Sequence, residues 1–182
     1  RKFTLQTNGT HLDRLRDDYL HRFDAILVSI DGGKEVTDSS RGEGTFDRVI
    51  RNVKDIRRRG YGGDLIARMA FSKEGDIYRD VKFLLDLDDP RFDHLHWQLD
   101  LFWSELDSWD DLEGWLRRYE DGMERLVMDF ASSLEKGVVE GIVPFIPVMD
   151  TILKSKPVDH IRCGAGMVSF AIMTSGAVEA CP

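Results

Sequence analysis

The chain has 182 residues, 42% hydrophobic and 32% charged, with a formal net charge of −8 at pH 7. That is enough apolar material for one real core, and the acidic balance argues against a nucleic-acid or anionic-membrane partner. The longest apolar stretch, 141–153, is cut by Pro144, Pro147 and Asp150 and is too short to span a bilayer, and no secretory leader opens the sequence, so a cytoplasmic protein is expected.

In chain order, 2–8 read as a strand ending in Thr7-Asn8-Gly9. Thr10 with Asp13 forms a capping box for a helix to about His21, its apolar positions being Leu12, Leu15, Tyr19 and Leu20. Residues 24–32 form an apolar, β-branched strand that breaks at Gly32-Gly33. A loop rich in Gly, Ser, Asp and Thr is expected over 33–44, and Thr45 caps a helix with the stripe Phe46, Val49, Ile50, Val53 and Ile56. Arg57-Arg58-Arg59, just before Gly60, suits a helix C-terminus better than a phosphate patch. A turn at Tyr61-Gly62-Gly63 leads to a strand over 65–72, then a helix carrying Ile77, Val81, Leu84 and Leu85 that ends at Asp88-Asp89-Pro90. A fourth strand spans 94–101. An aromatic and acidic loop over 102–112 precedes a long helix over 111–136, weakened locally by Gly114 and Gly122. Residues 138–149 form an edge strand or docking segment, and from Val158 a tail contains both cysteines. Within it, 167–173 and 177–180 make a hairpin around Thr174-Ser175-Gly176.

Strand and helix alternate without a hairpin before the tail, so the fold class is α/β with parallel crossovers. Alternation puts Ile26, Val28 and Ile30 on one face of the second strand, and Leu27, Ser29 and Asp31 on the other. In the third strand Ile66, Arg68, Ala70 and Ser72 share a side, and in the fourth His94, His96, Gln98 and Asp100 do. A doubly wound sheet would bury that polar set under helices. A partial barrel, with helices outside and a polar lining inside, accommodates it and makes His94, His96, Gln98 and Asp100 candidate substrate-binding residues.

Isolated chemistry is sparse. Cys163 and Cys181 suit free buried thiols, a disulfide, or two ligands of a metal or cluster that normally needs four. His94 and His96 could hold a metal, although lining histidines more often hydrogen-bond a neighbour or substrate. There is no convincing Ser–His–Asp set, no GxGxxG and no Walker loop.

Several motifs fall in a recognisable order. Thr7-Asn8-Gly9 closes one strand, Val28-Ser29-Ile30-Asp31-Gly32 the next, and Arg41-Gly42-x-Gly44-Thr45-Phe46-Asp47-x-Val49 opens a helix. This succession resembles the radical S-adenosylmethionine (SAM) barrel from its third strand through its sixth. Cys163-Gly164-Ala165-Gly166, with Gly176-x4-Cys181-Pro182, is similar to the start of a SPASM-type auxiliary-cluster domain. The resemblance implies a partial six-stranded (β/α) TIM-like barrel over 1–136, truncated at its N-terminus. A linker or docking segment would follow over 137–157, then the start of the SPASM region over 158–182, with a small C-terminal β-hairpin extension.

By the same resemblance, a 4Fe-4S cluster reductively cleaves SAM, and the 5′-deoxyadenosyl radical abstracts a substrate hydrogen. Ser29 would hydrogen-bond the ribose or methionyl end of SAM, with Thr7 and Asn8 lining the pocket. Asp31, Arg41 and Arg68 are further cofactor-binding candidates, either arginine able to pair with the SAM carboxylate. Cys163 and Cys181 would be two ligands of an auxiliary Fe-S cluster. The implied partners are a peptide or small-molecule substrate and an electron donor such as ferredoxin or flavodoxin.

The sequence also departs from the family. The CxxxCxxC loop, the GGE tip and the downstream auxiliary cysteines are absent, so the expected enzyme is a longer parent and this stretch alone is expected to be inactive. The opening on Arg1-Lys2-Phe3 and the close on Cys181-Pro182 also suggest a piece of something longer. The expected activity is peptide or protein modification. An alternative is cofactor biosynthesis of the molybdenum-cofactor precursor type, whose C-x2-C-x13-C tail conflicts with His160 and the 17 residues between the cysteines. A non-catalytic barrel-like ligand-binding module is the other. Truncation would leave the first strand with an open edge, expected to be covered by 138–149, further sequence or another copy in an oligomer.

Overall fold

Four parallel strands in the order β1-β2-β3-β4 organise the chain: β1 (Thr4–Thr7), β2 (Ala25–Ser29), β3 (Asp64–Phe71) and β4 (His94–Leu99). The structure is a computed structural model describing residues 1–100, 109–155 and 164–181. It divides into two compact units, Arg1–Pro144 and Phe145–Pro182.

In the first unit the strands are joined by α1 (Asp17–Leu20), α2 (Lys34–Arg41), α3 (Thr45–Arg58) and α4 (Ile77–Leu85), and α5 (Leu112–Glu135) follows β4. One sheet face is apolar through β2 and β3, because strand parity sends every second side chain to it. Ile26, Val28, Ile30, Leu65, Ala67, Met69 and Leu95 there are all essentially inaccessible, as are Val49, Val53 and Ile56 of α3 and Val81 of α4. The other face, with Leu27, Ser29, Ile66, Arg68, His94 and His96, is only half-buried. Among the described residues the sheet is open, so this is part of a barrel, not a closed one.

Three expected elements differ. The helix over 10–21 is broken into a 3-10 turn, Leu12–Arg14, and the single turn α1, with Leu15 extended between them (φ −71°, ψ 123°). The expected capping box does not form, because Asn8 Oδ1 takes both the Thr10 amide (3.1 Å) and hydroxyl (2.8 Å). The expected loop over 33–44 instead contains the two-turn helix α2. The segment 138–149 is divided. Ile142 bridges Leu95 in parallel, adding a fifth position at the β4 edge, while α6 (Phe145–Lys154) opens the second unit. The β1 edge, expected to be covered, is paired on its β2 side only among the described residues. The position expected of Leu101 in the fourth strand lies outside the described residues.

The basic run ends α3 as expected, and two of its members tie down the chain. Arg57 donates to the carbonyls of Tyr61 (3.0 Å) and Gly63 (3.1 Å) and pairs with Asp93. Arg59 reaches Asp17 (2.7 Å) and the Leu15 carbonyl, fixing the broken helix against α3. Trp97, Trp115 and Tyr119 join an aromatic cluster in which the Trp97 indole donates to the Tyr119 hydroxyl (3.1 Å) and Trp115 stacks on Tyr119 at 5.5 Å.

The second unit consists of α6 and the antiparallel pair β5 (Ala171–Ile172) and β6 (Val178–Glu179). Only two residues of the expected 167–173 strand are extended. The preceding 164–169 form a turn in which the Gly164 carbonyl accepts from the amides of Met167, Val168 and Ser169. Gly166 (φ +74°) passes so close to Ala180 that a Cβ there would sit 3.2 Å from the alanine methyl. The hairpin thus brings the residue before Cys181 against the turn that follows Cys163.

Candidate functional site

Parallel strands end on the same side, so their carboxyl ends gather polar tips at one rim of the sheet, as in other β/α barrels. Here the rim comprises Asn8, Ile30, Asp31, Ser72 and Asp100, the last bonded through its amide to the Phe71 carbonyl (2.9 Å). Just below the rim, register places Ser29 beside Arg68 and Arg68 beside His96. Neighbouring strands lie about 4.8 Å apart, so this row spans roughly 10 Å of the half-buried face. Arg68 also donates to the Gln98 side-chain oxygen.

Asp31 is built into the wall of this site. Its side chain is 2% exposed, yet both carboxylate oxygens are satisfied. Oδ1 accepts from Arg41 (2.6 Å) and from the Ala70 amide of β3 (2.9 Å), and Oδ2 accepts from Ser40 (2.6 Å). Thr37, fully buried, donates to the Gly32 carbonyl (3.1 Å) and accepts from the Asp31 amide (3.2 Å). Gly32 must be glycine. Its φ is +144°, and a Cβ would lie 2.8 Å from the Asp80 side chain. Thus α2 is pinned to the end of β2 by polar contacts.

The candidate residues distribute unevenly. Ser29, Arg68, His96, Gln98 and Asp100 lie on or at the rim of the half-buried face. Arg41 turns inward to Asp31, and its Nε is buried without a partner. Thr7 is opposite Val28 in register, on the helix-covered face, and its hydroxyl accepts from the Gly9 amide (3.1 Å). Asn8 is exposed and engaged with Thr10. His94 begins β4, about 13 Å below Gln98 at 3.3 Å per residue, where its Nδ1 meets Asp64 Oδ1 at 2.8 Å. Cys181 is exposed and free, and Cys163 lies outside the described residues. Ser40 and Thr37 were not singled out from the sequence. Their roles depend on helix α2 and on the burial of Asp31, neither of which the sequence pattern signals.

His96 is held below the usual histidine range, first by burial and then by the neighbouring Arg68 charge. Its Nδ1 is buried without a partner. With the folded pKa below the unfolded value of 6.5, both states are neutral well above pH 6.5 and the residue has no pH effect there. As pH falls below 6.5 the unfolded chain takes up a proton first, and stability declines until the folded pKa is passed. A His96→Gln variant is expected to lose less stability than wild type between pH 6.5 and 5 in urea titrations. An equal decline in both would show that His96 does not carry this dependence.

No family model matches the chain, and no curated protein matches it. Solved structures do match. Native anSMEcpe with bound AdoMet superimposes with a TM-score of 0.67 at 18% identity, over 97% of this chain and 50% of that one. The same protein with bound AdoMet and Cp18Cys peptide gives 0.62 at 19% identity, over 87% and 45%. Its tagged form with bound AdoMet gives 0.66 at 18%, over 96% and 47%. The chain therefore spans about half the length of the structures it resembles. At this identity the likeness establishes the fold alone, an α/β arrangement forming part of a TIM-like barrel. No helix among the described residues is long and apolar enough to cross a membrane.

Proposed function

We propose that this chain is the SAM-positioning part of a radical SAM enzyme that modifies a peptide or protein. The supporting observation is the Ser29–Arg68–His96 row beneath the rim, in a fold like that of AdoMet-bound structures. Ser29 would hydrogen-bond the ribose or methionyl end of SAM. Arg68 is the better placed arginine for the SAM carboxylate, because it shares the face and register of Ser29 while Arg41 is engaged by Asp31. Asp31 and Arg41 would hold the wall, with Asn8 and Thr7 supporting the neighbouring strand end. His96, Gln98 and Asp100 would face the substrate, and His94 would line the deeper end. The peptide in one of the similar structures favours a peptide substrate over a cofactor precursor or a purely ligand-binding role.

When bound together, SAM and a reduced 4Fe-4S cluster supply a 5′-deoxyadenosyl radical for hydrogen abstraction. Among the described residues no group of three His, Cys, Asp or Glu could hold a metal, so the cluster ligands are assigned to the longer parent. This chain by itself would be inactive. Cys163 and Cys181 would contribute to an auxiliary cluster, with ferredoxin or flavodoxin as electron donor in the cytoplasm. The open β1 edge would pair with preceding strands of the parent or a second copy.

Isothermal titration of the chain with SAM tests the binding role. Ser29→Ala is expected to weaken binding about fivefold and Arg68→Ala tenfold or more, since hydrogen bonds to charged groups contribute about 1.5–3 kcal/mol. Arg41→Ala is expected to weaken it less than Arg68→Ala. No SAM binding to the parent reconstituted with iron and sulfide, or no 5′-deoxyadenosine formed under reduction, would reject the proposal.

A further inference from the structure

Outside the rim, α3 carries a basic face that the proposed activity does not use. Residues 48–59 hold six basic side chains against one acid, whereas the rest of the chain holds 19 basic against 32 acidic residues. Arg57 and Arg59 are consumed by the internal contacts described above. Arg48, Arg51, Lys54 and Arg58 remain on the outer side, and neither Arg48 nor Arg51 forms an ion pair among the described residues. Arg51, Lys54 and Arg58 line a cleft of about 350 Å³ with Asp47, Asp89 and the half-buried Ile50. Lys34 pairs with Asp47, and Lys54 with Asp89 (3.0 Å), so both acids are already compensated. Among the described residues Arg58 pairs only with Asp55, at 3.8 Å, and its side chain is 73% exposed.

We propose that this cleft docks a short acidic segment of a partner polypeptide, which seats an apolar side chain on Ile50 and its carboxylates on Arg51 and Arg58. The fit is one of charge. An acidic partner is repelled by most of this protein and attracted at this face, which orients encounter. Carboxylates suit the planar guanidinium forks, which accept two parallel hydrogen bonds each. Arg51 and Arg58 are seven residues apart, about 10 Å along the helix, a span matched by three or four residues of extended peptide. A nucleic-acid backbone fits less well, because its phosphates offer no apolar side chain to seat on Ile50.

The test is fluorescence anisotropy of a fluorescein-labelled peptide of repeating Glu-Glu-Leu with the chain at 50 mM salt. Saturable binding is expected, weakened tenfold or more by R51E/R58E and several-fold by the milder R51Q/R58Q. The control R117E, at an exposed position of α5, is expected to leave binding unchanged, and circular dichroism verifies that each variant folds. The proposal is overturned by absence of saturation at 1 mM protein, or by an equal loss in R117E. It is also overturned if a twelve-residue oligothymidylate competes as well as the unlabelled peptide, since the face would then be a general polyanion patch.

Discussion

Asp31→Ala is expected to destabilise the first unit by about 3 kcal/mol, the low end for removing one partner of a buried ion pair. The reason is geometric. One carboxylate, 2% exposed, accepts from Arg41, Ser40 and the Ala70 amide, thereby joining β2, α2 and β3. Without it, the Ala70 amide loses its acceptor, the Ser40 hydroxyl falls back on the Val36 carbonyl (3.0 Å), and Arg41, whose Nε is already unpartnered, loses its counter-charge. Arg41 is 23% exposed, so water can partly recover its guanidinium, which keeps the estimate at the low end. For a unit of this size about 3 kcal/mol corresponds to a melting temperature lower by roughly 6–12 °C. Asp31→Asn should fall between, because its amide oxygen can still accept from Ala70 and Arg41 while its NH2 replaces the oxygen that accepts from Ser40 and the negative charge is lost. Urea unfolding followed by circular dichroism measures both. A loss below 1 kcal/mol for Asp31→Ala would mean that α2 is held by something other than this carboxylate. Ser29→Ala, on the same strand and half-buried, should barely move stability, which separates the supporting wall from the proposed binding row.

The same wall explains what was legible in the sequence and what was not. The alternation of β2, β3 and β4 was readable because side-chain parity is a strict consequence of the extended backbone, and the apolar sets Ile26, Val28, Ile30 and Leu65, Ala67, Met69 are uninterrupted. From that parity came the polar face and the barrel-like fold. Helix α2 was not readable, because periodicity finds helices by their apolar stripe, and the one residue α2 buries is Thr37. Its docking is polar, directed at an aspartate whose burial is a property of the fold. The expected 10–21 helix failed for the converse reason. Its apolar spacing is real, but Asn8 captures Thr10 and Arg59 captures the Leu15 carbonyl, and these contacts favour a bend. At the site, register between strands was beyond reach, so the Ser29–Arg68–His96 row could not be separated from His94, which shares the face but not the depth. The choice between Arg41 and Arg68 likewise needed the Asp31 contact.

Gly122 sets two effects in opposition and so gives the sharper test of packing. By helix propensity alone, Gly122→Ala in the middle of α5 should stabilise by about 1 kcal/mol. The structure predicts the opposite sign. An added Cβ would lie 2.5 Å from Ile77 Cγ2 and 3.4 Å from the Tyr78 amide nitrogen. Ile77 begins α4 and is 1% exposed, and its β-branched methyl has essentially one χ1 position in a helix, so it cannot swing aside. Relief requires α4 and α5 to separate, and overpacking of this kind costs about 1–3 kcal/mol. It would strain nearby α4–α5 contacts, including the Tyr78 hydroxyl to Asp129 at 2.9 Å and Arg125 over the Tyr78 ring at 3.6 Å. The expected net effect is a loss of about 1 kcal/mol for Gly122→Ala. Gly122→Val adds two more methyl groups and recovers less propensity, so it should lose about 3 kcal/mol. Ile77→Val retains Cγ2 and should not rescue Gly122→Ala, whereas Ile77→Ala removes the opposing methyl and should rescue part of its loss in a double-mutant cycle. A stabilising Gly122→Ala, or a cycle with no coupling, would show that the α4–α5 approach is looser than described, leaving propensity alone to govern this helix.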